Sequence, residues 1–177
     1  MSDHTLTDSV LILEPLTADD ASDWLAGEDE EQLRWFEAPR PAQLHDVQRF
    51  ITSCQESWRE MGSHRHWGIR RIDSDVLLGG VDLRALDKFE VNLSYVVFPK
   101  FRRQGVARRA SRLALNYATS SMGAKSALFK VLPGNVNSRN LALSFGSHFV
   151  RKEPSDSGQT FQVFRVSLPL IQSEKAP

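Results

Sequence analysis

The stretch Glu90-Val-Asn-Leu-Ser-Tyr-Val-Val-Phe-Pro-Lys-Phe-Arg-Arg-Gln-Gly-Val-Ala107 changes its period halfway along. Up to Phe98 it alternates. Val91, Leu93, Tyr95 and Val97 point one way and Glu90, Asn92 and Ser94 the other, the pattern of a strand. Pro99 ends it. From Val106 the spacing becomes helical: Val106, Ala110, Leu113, Ala114 and Tyr117 form one face, and Gly123 closes the helix. A helix start presents unpaired N–H groups and a partial positive charge. A glycine-containing loop lets those groups close around a phosphate. Gly105 has no side chain to block the approach, and Ala107 keeps the first turn bare. Arg102, Arg103, Arg108 and Arg109 add positive charge. The unit is therefore suited to a pyrophosphate. It is not a Walker A loop, because Gly-Lys-Ser/Thr is missing. It is not the Gly-x-Gly-x-x-Gly dinucleotide fingerprint either.

On the N-terminal side, Val10–Leu13 reads as a strand before Pro15. Thr17 caps a helix carrying Ala21, Trp24 and Leu25, and Gly27 ends it. Trp35 and Phe36 precede the rigid turn Pro39-Arg40-Pro41. Val47, Phe50, Ile51, Cys54 and Trp58 form one face of a second helix, closed by Gly62. His66–Ile72, Val76–Leu86 and Glu90–Phe98 read as an antiparallel meander. On the C-terminal side, Ala127–Leu132 is a strand, and Ser138–Phe145 a short helix capped by Asn135 or Asn137. Phe149–Arg151 and Thr160–Leu168 form a closing hairpin around Ser155-Asp-Ser-Gly158. The order predicts one mixed α/β domain over residues 8–170, with residues 1–7 and 171–177 as loose termini.

A chain of 177 residues suits one domain with a full core. Apolar and charged fractions of 41% and 25% are those of an ordinary globular protein. A net charge of zero argues against nucleic acid as a partner. The single cysteine, Cys54, excludes an intramolecular disulfide and a cysteine-based metal site. Its helical apolar register marks it as buried filler. With no leader-like start and no run of roughly 20 apolar residues, the expected location is the cytoplasm, away from membranes.

Arg102-x-x-Gly105-x-Ala107 resembles the Gln/Arg-x-x-Gly-x-Gly/Ala coenzyme A signature of the GNAT N-acetyltransferases, and it stands in the proper place, between a strand and a long helix. Asn135-Val-Asn-Ser-Arg-Asn-Leu-Ala142 resembles the family's Asn-x-x-Ser/Ala helix. Leu13-x-Pro15-Leu16-Thr-Ala-Asp-Asp20-Ala, Trp35…Pro39-x-Pro41 and Gly79-Gly80-Val81-x-Leu83 are similar to the branch that acetylates ribosomal-protein N-termini at serine or alanine. The resemblance covers residues 10–168. It implies the GNAT acyl-CoA N-acyltransferase fold: a mostly antiparallel sheet, splayed between its fourth and fifth strands and flanked by helices. It implies acetyl-CoA as co-substrate, with no metal, and a primary amine as acceptor, foremost a protein or peptide N-terminal α-amine. Backbone groups of Tyr95, Val96 and Val97 would pair with the pantetheine arm, and the Val97 N–H would stabilise the developing oxyanion. Arg102 and the N–H groups of Arg103, Gln104, Gly105, Val106, Ala107 and Arg108 would hold the pyrophosphate. Asn135 would touch the pantetheine, and Ser138 the coenzyme or the leaving thiolate. Such a protein would be a monomer or a homodimer.

Two positions depart from the family's pattern. Ala142 stands where many relatives carry a tyrosine taken as the general acid, and Asn92 where others carry a glutamate. The candidate catalytic set is therefore Glu90, Asn92 and Ser138. Glu90 shares a strand face with Asn92, and Asp82, His64, His66 and His148 are further candidate bases. Trp35, Phe36, His66 and Asp82 are expected to line the acceptor pocket. An α-amine, with a pKa of about 7.7–8.0, needs roughly 1 kcal/mol to be neutral at pH 7, whereas lysine needs nearly 5. A site short of a strong base suits the α-amine. Two alternatives share the fold. One is a small-molecule amine acyltransferase, for an aminoglycoside or polyamine drawn to Glu28-Asp-Glu-Glu31. The other is a non-catalytic acyl-CoA-binding regulator.

Overall fold

A computed structural model describes residues 4–155 and 157–170. Eight strands form one open sheet in the order β1-β2-β3-β4-β5-β6-β8-β7. They are β1 (Leu6–Thr7), β2 (Leu11–Glu14), β3 (His64–Arg71), β4 (Ser74–Ala85), β5 (Glu90–Val97), β6 (Ser126–Val131), β7 (His148–Pro154) and β8 (Thr160–Ser167). The helices are α1 (Ala21–Ala26), α2 (Glu30–Trp35), α3 (Leu44–Arg59), α4 (Val106–Ser120) and α5 (Val136–Ser144). The mixed α/β architecture is the expected one.

Two elements were not expected. Leu6–Thr7 pairs with Ile12 and Leu13, and the Trp67 indole donates to the His4 carbonyl, so residues 4–7 are tied down rather than loose. Residues 1–3 and 171–177, also expected to be loose, lie outside the described residues. This extra strand moves the splay to between the fifth and sixth strands. The acidic run at Glu28–Glu31 opens α2, with Asp29 Oδ1 accepting from the Gln32 N–H. Acids in a first turn suit the helix dipole. No residue of α2 is buried, so it shows no apolar periodicity.

The core has two layers. On one face of the sheet Trp67, Ile69, Val81, Leu83, Val91 and Leu93 meet α4. Ala110, Ala114 and Ala118 are fully buried there, and their small size lets the helix sit close. Leu115 takes the buried place that the periodicity gave to Leu113, which is only partly covered. On the other face α1 and α3 contribute Trp24, Val47 and Ile51 against Leu77, Val96 and Phe98. Cys54 is buried as expected, and burial pushes its thiol up to about 12.

Two features of the sheet build the site. First, the parallel pair β5–β6 holds only from Glu90 to Asn92, against Ser126 to Leu128. Beyond that, β6 stays paired with β8 as far as Val131, while β5 turns away from it and remains paired with β4. Leu93–Val97 thus faces a wedge. Second, the antiparallel registers align residues in rows across three strands: His66, Asp82 and Ser94 form one row, and His64, Arg84 and Asn92 the next.

Candidate active site

A cleft of about 520 Å³ fills the wedge. Its walls are Leu93–Val97 of β5, Phe129–Leu132 at the end of β6, Gly105–Arg108 at the start of α4, and Asn135, Ser138 and Leu141 of the α5 region. Gly105 caps α4 with φ +78°, and a side chain there would meet nothing within 4 Å. The position is held by glycine for its left-handed backbone and stands open to a ligand. The Arg109 N–H bonds the Gly105 carbonyl. Those of Val106, Ala107 and Arg108 are first-turn donors without a helical acceptor.

The arginines divide into two sets. Arg102 is spent on the protein. Its guanidinium forms a two-pronged bond to Asp29 at 2.8 Å, reaches Glu31 at 2.7 Å, and donates from Nε to the Val97 carbonyl at 2.9 Å. The expected phosphate contact from this side chain is therefore corrected: it clamps α2 against the end of β5. That clamp holds the Asp29 carboxyl below its ordinary range, chiefly through the Arg102 hydrogen bond. Arg109 pairs with Asp8. Arg103 and Arg108 line the cleft and form no ion pair among the described residues. Gln104 turns away, its amide donating to the Lys100 carbonyl.

Asn135 Oδ1 accepts from the Ser138 N–H and caps α5, which settles the choice between Asn135 and Asn137. Across the wedge, Tyr95 Oη and Ser138 Oγ lie 2.9 Å apart. Burial raises the Tyr95 pKa, against a smaller opposing effect of that bond.

A second cavity, of about 510 Å³, lies on the other face of β5. Gln32, Phe36, Ser94, Tyr95 and Val96 line both, so the two spaces meet at Ser94–Val96. Of the four residues expected at an acceptor pocket, Phe36, His66 and Asp82 line the second cavity together, whereas Trp35 lines only the first. Trp24 and Phe50 form an aromatic wall with His66, with centroids 4.9–5.4 Å apart. Gly80 forms the floor: a Cβ there would fall 2.7 Å from the Trp24 ring and 2.8 Å from His66 Nε2.

Three buried polar atoms of this cavity lack a partner: His66 Nε2, Asn92 Oδ1 and Gln32 Oε1. Burial pulls the His66 pKa down to about 4, so its ring is neutral at pH 7. Such orphaned atoms are costly unless a ligand satisfies them. His64, His66 and Asp82 bring ring nitrogens and a carboxylate oxygen within 4.8 Å of one another. His64 Nε2 and Asp82 Oδ2 lie 2.9 Å apart, and Ser94 Oγ donates to Asp82 Oδ1 at 2.7 Å.

Glu90 is far from this junction. It lies five residues before Tyr95, about 16 Å along the strand. Its Oε1 accepts from Ser126 and pairs with Arg165, at 2.8 Å each. It borders a shallow surface depression instead, so its candidacy as base is corrected. His148 is exposed and lines neither cavity. Ser94, Trp24 and Phe50 belong to the site but were not singled out in the sequence. Ser94 had a legible signal, the strand face it shares with Asn92. Trp24 and Phe50 read as ordinary helix core.

The family described as acetyltransferase (GNAT) domain matches residues 10–148. This chain is a GNAT acetyltransferase. It folds like a putative ribosomal-protein-serine acetyltransferase from Vibrio cholerae, at 20% identity and a TM-score of 0.78, over 93% of this chain and 98% of that one. It also folds like Mycobacterium smegmatis RimJ in complex with CoA-disulfide, at 15% identity and a TM-score of 0.78, over 95% and 88%. The microcin C7 self-immunity acetyltransferase MccE, in complex with acetyl-CoA and AMP, aligns at 15% identity and a TM-score of 0.76, over 94% and 100%. No curated protein matches. As a GNAT enzyme the chain takes acetyl-CoA as its acetyl donor, and its features fit that molecule: an open glycine cradle at a helix start and, among the described residues, two arginines without ion pairs and a sheet edge with no strand beside it. No helix among the described residues is long and apolar enough to cross a membrane.

Proposed function

We propose that this GNAT enzyme acetylates the α-amine of a peptide or protein N-terminus. The observation that carries the reading is the second cavity, which opens onto the cleft at Ser94–Val96 and presents orphaned polar atoms at His66, Asn92 and Gln32. A peptide N-terminus brings an amine followed by amide N–H groups, which are the donors the Asn92 and Gln32 oxygens lack. A polycation finds less there. Glu28 accepts the Ala42 N–H, and Asp46 is held by Arg40 and Arg49. Asp29 and Glu31 are held by Arg102. Three of the four acids in the run that made an aminoglycoside or polyamine attractive are thus engaged. The likeness to the Vibrio cholerae putative ribosomal-protein-serine acetyltransferase also supports a protein acceptor.

In this reading residues 8–170 act as one catalytic domain in the cytoplasm. Acetyl-CoA supplies the acetyl thioester when bound. The first-turn N–H groups of α4, with Arg103 and Arg108, hold its phosphates. The backbone of Tyr95–Val97 pairs with its amide-bearing arm, and the Val97 N–H faces the carbonyl oxygen that gains charge. Ser138 and Tyr95 stand where a leaving sulfur would be protonated, and burial keeps the Tyr95 phenol in its proton-bearing form.

The test is thiol release from acetyl-CoA at pH 7 with a panel of N-terminal peptides, acetyl-blocked lysine peptides and polyamines. Peptide α-amines should turn over fastest. Preferred acetylation of lysine side chains or polyamines would overturn the proposal. Stabilisation by CoA with no turnover on any amine would favour a binding role.

A further inference from the structure

From the hydrogen-bond chain across β3, β4 and β5 we infer that Ser94, Asp82 and His64 form a proton path from the acceptor amine to solvent. The inference rests on the proposed amine acetylation and names the groups that remove its proton.

The chain begins where the cavities meet. Ser94 lines both, so the residue stands between the donor's cleft and the acceptor's pocket, with its hydroxyl turned to Asp82 of the pocket. Its proton is committed to Asp82 Oδ1 at 2.7 Å, which leaves the Ser94 lone pairs open to a second donor. Asp82 Oδ2 meets His64 Nε2 at 2.9 Å. The His64 side chain is 28% exposed and Asp82 18%. The path therefore runs from Ser94, where the cavities meet, through Asp82 to His64, whose partly exposed ring reaches solvent. Strand pairing fixes it: Asp82 is the direct cross-strand partner of Ser94, and His64 sits two residues before His66, the partner of Asp82 on the other side.

The step balances. An ammonium donor at Ser94 Oγ gives up one proton as the Ser94 proton passes to Asp82. The freed nitrogen lone pair attacks the thioester carbonyl and forms the C–N bond. The C–S bond breaks, and the sulfur leaves with its electron pair and takes a proton. The second nitrogen proton, lost on collapse to the neutral amide, balances the one the sulfur takes. Per turnover, one proton leaves the enzyme for bulk water at the His64 end. Ser94 is the catalytic residue here. Asp82 is the proton acceptor behind it, and His64, which acts through Asp82, passes the proton on to solvent.

Other ionisable groups face this chain. His66, Arg84, Glu28 and Asp46 share the cavity, Tyr95 adjoins it, and Cys54 approaches from α3. A pH profile alone would mix them, so the test pairs it with isosteric variants. In Ser94→Ala and Asp82→Asn, kcat should fall roughly 100-fold, at the low end of general acid–base effects. The KM for acetyl-CoA should stay within about twofold, because neither side chain reaches the phosphate end. Raising the pH from 7 toward the amine pKa should restore the rate of Asp82→Asn about tenfold per unit. The wild-type rate should change far less. His64→Gln should lie between the two, and Ser94→Thr should retain most activity. The imidazole 15N spectrum of His64 should shift in Asp82→Asn without any substrate. Full activity and an unchanged pH profile in both Ser94→Ala and Asp82→Asn would overturn the path. A wild-type enzyme that turns over no amine would instead sink the functional proposal.

Discussion

Tyr95 Oη and Ser138 Oγ, 2.9 Å apart, join β5 to α5 across the part of the sheet where β5 and β6 no longer pair. This contact bridges the floor of the cleft with side chains where the backbone ladder has stopped. Tyr95→Phe should cost about 1 kcal/mol, the usual net worth of one hydrogen bond. That corresponds to a fall of roughly 2–4 °C in Tm for a domain of this size, read by calorimetry. The KM for acetyl-CoA should rise as α5 loosens.

Arg102 and Asp29 make the fold of the cleft's rim depend on acid. The Asp29 pKa is lowered, first by the Arg102 hydrogen bond. A depressed carboxylate stabilises the fold fully above its unfolded pKa, near 3.9. That contribution is lost as pH falls through the lower folded value. Both groups are more than a quarter exposed, so the effect is modest. Wild type should lose stability in this acid window, and Arg102→Ala should lose less of it, as followed by urea melts between pH 5 and pH 2. Arg102→Lys should not restore wild type, because lysine cannot span two carboxylate oxygens at once.

Gly105→Ala should separate coenzyme binding from folding. A left-handed alanine costs about 1–2 kcal/mol, a loss of a few degrees in Tm. The added methyl meets no protein atom, so the remaining effect falls on the ligand. Calorimetric titration with CoA should show weakened binding, while the KM for the acceptor amine stays near that of wild type.

Glu90→Gln should leave kcat for amine acetylation within about twofold of wild type. Its partners are Ser126 and Arg165, and it borders neither large cavity. A drop of 100-fold, the size of a lost general base, would return Glu90 to the mechanism.

The coenzyme end of the site was legible in the sequence because backbone geometry makes it. A strand, a glycine in the left-handed region and a helix start leave a period change that reads directly from Glu90 to Tyr117. The acceptor end was not legible in the same way. Its polar row comes from cross-strand register, which places His66, Asp82 and Ser94 side by side from three separate segments. Sequence spacing carries no register, so Glu90 stood ahead of Asp82 as a candidate base until pairing put one beside Arg165 and the other beside Ser94. The role of Arg102 was hidden for the same reason. Its carboxylate partners lie 73 and 71 residues away, on a helix too exposed to show a pattern.

The early end of the β5–β6 ladder also bears on how this chain can change over evolutionary time. Recognition written in main-chain amides has no alphabet: almost any residue that keeps Leu93–Val97 extended offers the same donors and acceptors. Substitutions along that edge can then accumulate without erasing the coenzyme's footing. Identities of 15–20% beside TM-scores of 0.76–0.78 are what such a lineage would leave behind. The selective pressure that side chains do feel would gather on the opposite face of β5, around the proposed acceptor cavity.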